Sequence, residues 1–205
     1  NVLGTKNVVA ACKKTGKKII YISTDFVFDG ENGPYEESAK PSPINWYGET
    51  KYKGELIVRE SGTPFIIARI AYPYKAKIAQ KKDFIHAILS RLSSGESISA
   101  VEDHIMTPTF IDDIALAFDV LIQKEAIGIY HVVGSQFISP YEAALTIARA
   151  FGYDSSLVAR VKREKYFEER AKRPFKLSLK NDKLRQLGIE MLTFQEGLKE
   201  VKKQL

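Results

Sequence analysis

Tyr47 and Lys51 stand four residues apart in Tyr47-Gly48-Glu49-Thr50-Lys51, a spacing that puts both side chains on one face of a helix. A phenol ordinarily titrates near ~10, and a neighbouring ammonium favours its ionised form; a drop of about 3 units corresponds to roughly 4 kcal/mol. A tyrosine tuned in this way gives or takes a proton near neutral pH. Upstream, Ile19-Ile20-Tyr21-Ile22-Ser23-Thr24-Asp25 reads as a buried strand that ends in a hydroxyl and a carboxylate. The two segments together point to carbonyl or alcohol chemistry.

The elements that must hold these groups follow from local pattern. Residues 1–14 carry apolar side chains at helical spacing and lead into the strand at Ile19. After Asp25 comes a turn-rich loop, Asp29-Gly30-Glu31-Asn32-Gly33-Pro34 and then Pro41-Ser42-Pro43. A helix over residues 45–60 follows, with Asn45 as N-cap and Gly62 as a stop. Residues 64–70 are almost wholly apolar, as parallel strands covered on both faces tend to be. Strand, helix and strand make a right-handed crossover unit. Beyond Tyr72 the pattern predicts helices over 83–92 and 112–122 and a strand over 129–133. Ser139-Pro140-Tyr141-Glu142 and Thr193-Phe194-Gln195-Glu196 are capping boxes that open two further helices. Residues 153–178 are the least periodic and most charged.

Composition narrows the function classes. With 44% hydrophobic and 27% charged residues among 205, the chain suits one globular domain or a domain with a lobe. Its longest apolar runs are strand-sized, far short of the ~20 residues that span a bilayer, so no membrane partner is expected. The net charge of +6 comes from bases interleaved with acids, as in Lys162-Arg163-Glu164-Lys165. With no aromatic-interleaved basic repeat and no zinc spacing, no nucleic-acid partner is expected. A small anionic ligand fits better. Cys12, the single cysteine, reads as a small packed hydrophobe, and a chain without an internal disulfide suits a reducing, cytoplasmic setting. His131 reads as a strand residue, and no two of the three histidines have ligand spacing, so no catalytic metal is expected.

Ser23-Thr24-Asp25-Phe26-Val27-Phe28-Asp29-Gly30, Pro34-Tyr35-Glu36-Glu37, and Tyr47-Gly48-Glu49-Thr50-Lys51 with Gly54-Glu55 resemble an extended short-chain dehydrogenase/reductase of the dTDP-4-dehydrorhamnose reductase family. Arg69-Ile70-Ala71-Tyr72, Thr107-Pro108-Thr109, Asp112-Asp113-Ile114-Ala115 and Arg173-Pro174 agree in order, so the resemblance covers nearly the whole chain. It implies an α/β fold, with part of a doubly wound, Rossmann-like parallel sheet and a small mixed α/β substrate lobe. Residues 1–71 would carry the catalytic part of the dinucleotide-binding domain. Residues 72–205 would form mainly the sugar-nucleotide lobe, with some segments returning to the sheet.

The activity implied is reduction of a 4-keto-6-deoxy sugar nucleotide by NADH or NADPH, as in dTDP-rhamnose biosynthesis. In that reading Tyr47 protonates the developing alkoxide, while Lys51 tunes Tyr47 and hydrogen-bonds the cofactor ribose. Thr24 donates to the sugar oxygen, Asp25 orients the sugar, Tyr72 lies against it, and Arg173 is a candidate phosphate contact. The resemblance leaves room for a homodimer. Two other readings share the spacing: a non-catalytic regulatory subunit like the β subunit of methionine adenosyltransferase, and a sugar-nucleotide epimerase.

The sequence departs from the family in three places. It contains no G-x-G-x-x-G turn for a pyrophosphate, so it reads as a piece lacking the N-terminal dinucleotide-binding half, and the 205 residues alone are expected to be inactive. Lys176-Leu177 replaces the family's Asn-Ser, and no glycine precedes Thr107-Pro108. Both of these fall toward the sugar-nucleotide lobe.

Overall fold

The computed structural model describes residues 1–77, 81–168 and 172–205; residues 169–171 of the charged stretch therefore lie outside the described residues. In chain order, α1 (Val2–Thr15) leads to β1 (Ile19–Thr24), a short 3₁₀ turn (Asp25–Val27), α2 (Trp46–Arg59) and β2 (Phe65–Ile70). β3 (Pro73–Tyr74), α3 (Phe84–Ser93), β4 (Ile98–Val101), β5 (Thr109–Phe110), α4 (Ile111–Gln123) and β6 (Gly128–His131) follow. The remainder is α5 (Pro140–Phe151), β7 (Val158–Val161), α6 (Arg163–Tyr166), α7 (Asp182–Arg185) and α8 (Phe194–Gln204).

The fold is α/β, built among the described residues on a parallel sheet of order β1-β2-β6. Its register runs from Ile19 opposite Phe65 to Thr24 opposite Ile70, with Ile66 opposite Gly128. α1 and α2 cover one face through Val9, Val58, Ile19 and Ile67. α4 covers the other, setting Ile114, Ala117 and Leu121 on Ile66, Ala68 and Tyr130. β2 lies between two strands and two helical layers, so its four central residues are buried. β1 departs from the buried strand expected: Ile20 and Ile22 are 36% and 39% exposed. The reason is position, since β1 is the outer strand here and α4 packs over β2 and β6 rather than over it.

Local chemistry sets the helix starts. Asn45 Oδ1 accepts the Gly48 amide at 2.8 Å, and both expected capping boxes close, Ser139 with Glu142 and Thr193 with Glu196. Two short parallel pairs, β3 with β5 and β4 with β7, have no counterpart in the sequence pattern. Strands of two and four residues are too brief to show a period of two. They brace a second core of Tyr74, Ile85, Met106, Ile147 and Phe194. Cys12 is partly buried against the α1–α2 layer, and His131 is fully buried.

Candidate active site

β1 and α2 bring the expected chemistry together because of a close approach. A Cβ on Gly48 would collide with the Phe26 carbonyl, and one on Gly54 with the Tyr21 hydroxyl. Only glycine lets α2 lie this near the strand end, so Tyr47 and Lys51 reach Thr24 and Asp25. All four line one cavity of about 310 Å³, joined by Tyr72 from just past β2 and by Arg173.

Within this cavity Tyr47 is half exposed, its ring meeting Phe26 edge-on at 5.7 Å. Lys51 donates to the Ile22 carbonyl, and its ammonium lies 4.7 Å over the Tyr21 ring. Burial draws the Lys51 pKa below the ordinary lysine range, while Glu55 pulls it back up. Thr24 Oγ1 donates to Asp25 Oδ1 at 2.9 Å and accepts the Phe26 amide at 3.3 Å. Asp25 is buried, and its Oδ2 has no hydrogen-bond partner among the described residues. Burial pushes its carboxyl up to about 7, against the Thr24 bond and the backbone amides that favour ionisation. Near neutral pH Asp25 is therefore divided between acid and carboxylate.

Tyr72 adopts φ 41°, a left-handed conformation that a bulky residue rarely takes. Surroundings hold it there: its ring packs edge-on against Phe84 and His104, and its hydroxyl lies 3.3 Å from His104 Nε2. Burial, then the Asp25 charge, raises the Tyr72 pKa. Burial, reinforced by Arg173, pushes His104 down to about 4, so its imidazole is neutral. Tyr72 and Arg173 also line an adjoining cavity of about 350 Å³ between α3 and β4. The two spaces share a wall of one aromatic ring and one guanidinium.

Two participants escaped the sequence reading. His104 looks like a loop residue until the fold sets it on Tyr72. Arg69 interrupts the apolar run Phe65-Ile66-Ile67-Ala68 and is 1% exposed, paired with the wholly buried Glu55. A charge inside an otherwise apolar strand was the available signal, because a buried ion demands a partner.

The chain that assembles a hydroxyl, a phenol, an ammonium and a titratable carboxyl around one cavity is similar in sequence and fold to known proteins. The chain is 33% identical over 208 residues to mouse "Methionine adenosyltransferase 2 subunit beta", covering 98% of this chain and 61% of that protein. It is 32% identical over 160 residues to the "dTDP-4-keto-6-deoxy-D-glucose reductase" of Streptomyces niveus, covering 76% of this chain and 54% of that one. The crystal structure of dTDP-4-dehydrorhamnose reductase from Bacillus anthracis in complex with NADP superposes with a TM-score of 0.90 at 31% identity, covering all of this chain and 72% of that one. This chain thus spans about three fifths of the mouse relative's length. The family described as the RmlD substrate binding domain matches residues 1–205, end to end, and the chain belongs to that family.

Proposed function

We propose that the protein containing this chain reduces a 4-keto-6-deoxy sugar nucleotide with NADH or NADPH, as a dTDP-4-dehydrorhamnose reductase does. The observation that carries this reading is the single cavity lined by Thr24, Asp25, Tyr47, Lys51, Tyr72 and Arg173. Residues 1–71 supply the proton-handling groups. Residues 72–205 supply most of the sugar-nucleotide lobe, and Gly128–His131 returns to the sheet.

The donor set suits the hydroxyl-rich ribose end of a nicotinamide cofactor: a half-exposed phenol and an ammonium stand at an open cavity. The cofactor would supply hydride to the keto carbon. Tyr47 delivers a proton to the oxygen that becomes an alcohol, and Lys51 stabilises the phenolate left behind. Thr24 is the second hydrogen-bond donor to that oxygen. Its hydroxyl now donates to Asp25, but a protonated Asp25 can reverse the bond, donating to Thr24 Oγ1 and releasing the Thr24 proton toward the substrate. Tyr72 forms the wall against the sugar ring. Arg173, at the junction of the two cavities, neutralises the diphosphate.

The test uses the full-length protein with NADH and NADPH and dTDP-4-keto-6-deoxyglucose, following cofactor absorbance. Tyr47→Phe should cut turnover by about 10²–10⁴-fold, the usual worth of a positioned acid. Cofactor binding without turnover on several keto-sugar nucleotides would sink the proposal. It would favour a regulatory subunit, the reading supported by the mouse relative.

A further inference from the structure

Glu55 lies one helical turn beyond Lys51 on α2 and is wholly buried. Its carboxylate takes three hydrogen bonds. Oε1 accepts from Ser23 Oγ at 2.5 Å and from Arg69 Nε at 2.9 Å, and Oε2 accepts from Arg69 Nη2 at 2.8 Å. Arg69 also lies 4.9 Å over the Phe28 ring and places Nη1 3.4 Å from His131 Nε2. His131 Nδ1 stands 3.0 Å from the Lys180 carbonyl. That contact assigns the ring proton to Nδ1 and leaves Nε2 free to accept from Arg69.

A buried ion pair is a poor device for stability, since apolar residues of similar volume often do as well or better. This one joins three segments at informative points. Ser23 immediately precedes Thr24, Glu55 follows Lys51 by one turn, and Arg69 precedes Tyr72 by three residues. We propose that Glu55, clamped by Arg69 and Ser23, is the positioning residue of the active site. It fixes the rotation of α2 against β1 and β2, so that Lys51 meets the Ile22 carbonyl and Tyr47 faces the cavity beside Thr24. Fork-to-fork pairing suits this task because it constrains orientation as well as distance.

Glu55 acts on Lys51 electrostatically as well. Lys51 is faced by Tyr47 and Glu55 from its own helix, by Tyr21 and Asp25 from β1 and its end, and by Tyr72 and Arg173 across the cavity. Among these, Glu55 is the charge that opposes the effect of burial on Lys51. Without it, Lys51 surrenders its proton at lower pH, and the phenolate loses its cation.

The kinetic part of this inference rests on the reductase reading; the titration of Lys51 does not. The test compares full-length wild type with Glu55→Gln and, for positioning alone, with Glu55→Met/Arg69→Met, which removes one charge of each sign and so leaves the field at Lys51 nearly balanced. Expected in both are a fall in kcat of roughly tenfold or more from misplacement and a sugar-nucleotide KM within about threefold, with the basic limb of the pH profile moved to lower pH in Glu55→Gln. Carbon-13 reductive methylation and NMR should show Lys51 titrating at lower pH in Glu55→Gln. A merely structural Glu55 would lower Tm while leaving the pH limb and the Lys51 titration in place, and that outcome overturns the proposal. If wild type itself fails to turn over, the reductase reading falls alone, and an unchanged Lys51 titration is then what overturns this one.

Discussion

The two halves of the molecule hold themselves together by different means. Beneath the site, the sheet built on β1, β2 and β6 is crossed by directional contacts: Ser23, Glu55, Arg69 and His131 are all nearly or fully buried and bonded to one another. The lobe braced by β4 and β7 is built on an apolar cluster of Tyr74, Ile85, Met106, Ile147 and Phe194, and the His86–Asp83 pair at the start of α3, 2.8 Å apart, sits beside that cluster rather than tying its elements together. Apolar packing tolerates small shifts, whereas a bidentate ion pair accepts one geometry. Proton-transfer groups need fixed angles and a ligand wall needs shape, and each half carries the kind of core that suits its share.

The largest effect on stability should come from splitting the ion pair. Arg69→Met leaves Glu55 buried without its cation and should cost about 3–5 kcal/mol in urea unfolding. Because a stranded carboxylate is relieved by protonation, the loss should shrink as pH falls. Glu55→Met/Arg69→Met should recover most of it. A double variant no better than the single would show that the two halves do not differ in kind.

The matching cut in the other core is Ile85→Ala, at about 2–5 kcal/mol, and here the loss should not change with pH, because no charge is stranded. A pH-dependent loss would show that the cluster leans on the neighbouring His86–Asp83 pair rather than on apolar packing alone.

Asp25 sharpens the contrast through its titration. Its folded pKa of about 7 lies above the ordinary aspartate value of ~4, so its contribution is complete below about pH 4 and lost as pH rises through about 7. His104 and His131, pushed down to about 4 and about 3 mainly by burial, act the opposite way. Their contribution is present above ~6.5 and lost as pH falls through those values. Asp25→Asn leaves the histidines unopposed, so between pH 7 and 4 its stability should fall more steeply with acid than wild type. Parallel pH–stability curves would refute the buried acid.

The smallest effect is expected at a helix start in the apolar lobe. Ser139→Ala opens the capping box of α5 and should lower stability by about 1 kcal/mol, seen as a small drop in the urea midpoint without change in slope.

Much of this was legible in the sequence where the determinants are local. The caps at Asn45, Ser139 and Thr193 depend on residues three apart, and the apolar run at Phe65–Ile70 declares a covered parallel strand by composition alone. The pairing of Tyr47 with Lys51 on one helical face likewise follows from helical spacing, whereas their nearness to Thr24 and Asp25 needs the close approach of α2 to the strand end at Gly48 and Gly54. The pairing of β4 with β7 was not legible, since Ile98 and Val158 are brought together across the chain from strands too short to show periodicity.

Sequence by itself determined the longer helices and the strands β1, β2 and β6, the identity of the chemical groups and the family to which they belong. Tertiary structure alone decided that Glu55 and Arg69 would meet beneath them, that Tyr72 would be held at positive φ against His104, and that Arg173 would stand where two cavities join. The physical reason is range. Hydrogen-bonded turns and caps are settled within a few residues, whereas the pKa of a buried acid or the partner of a buried ion depends on what the rest of the chain packs around it.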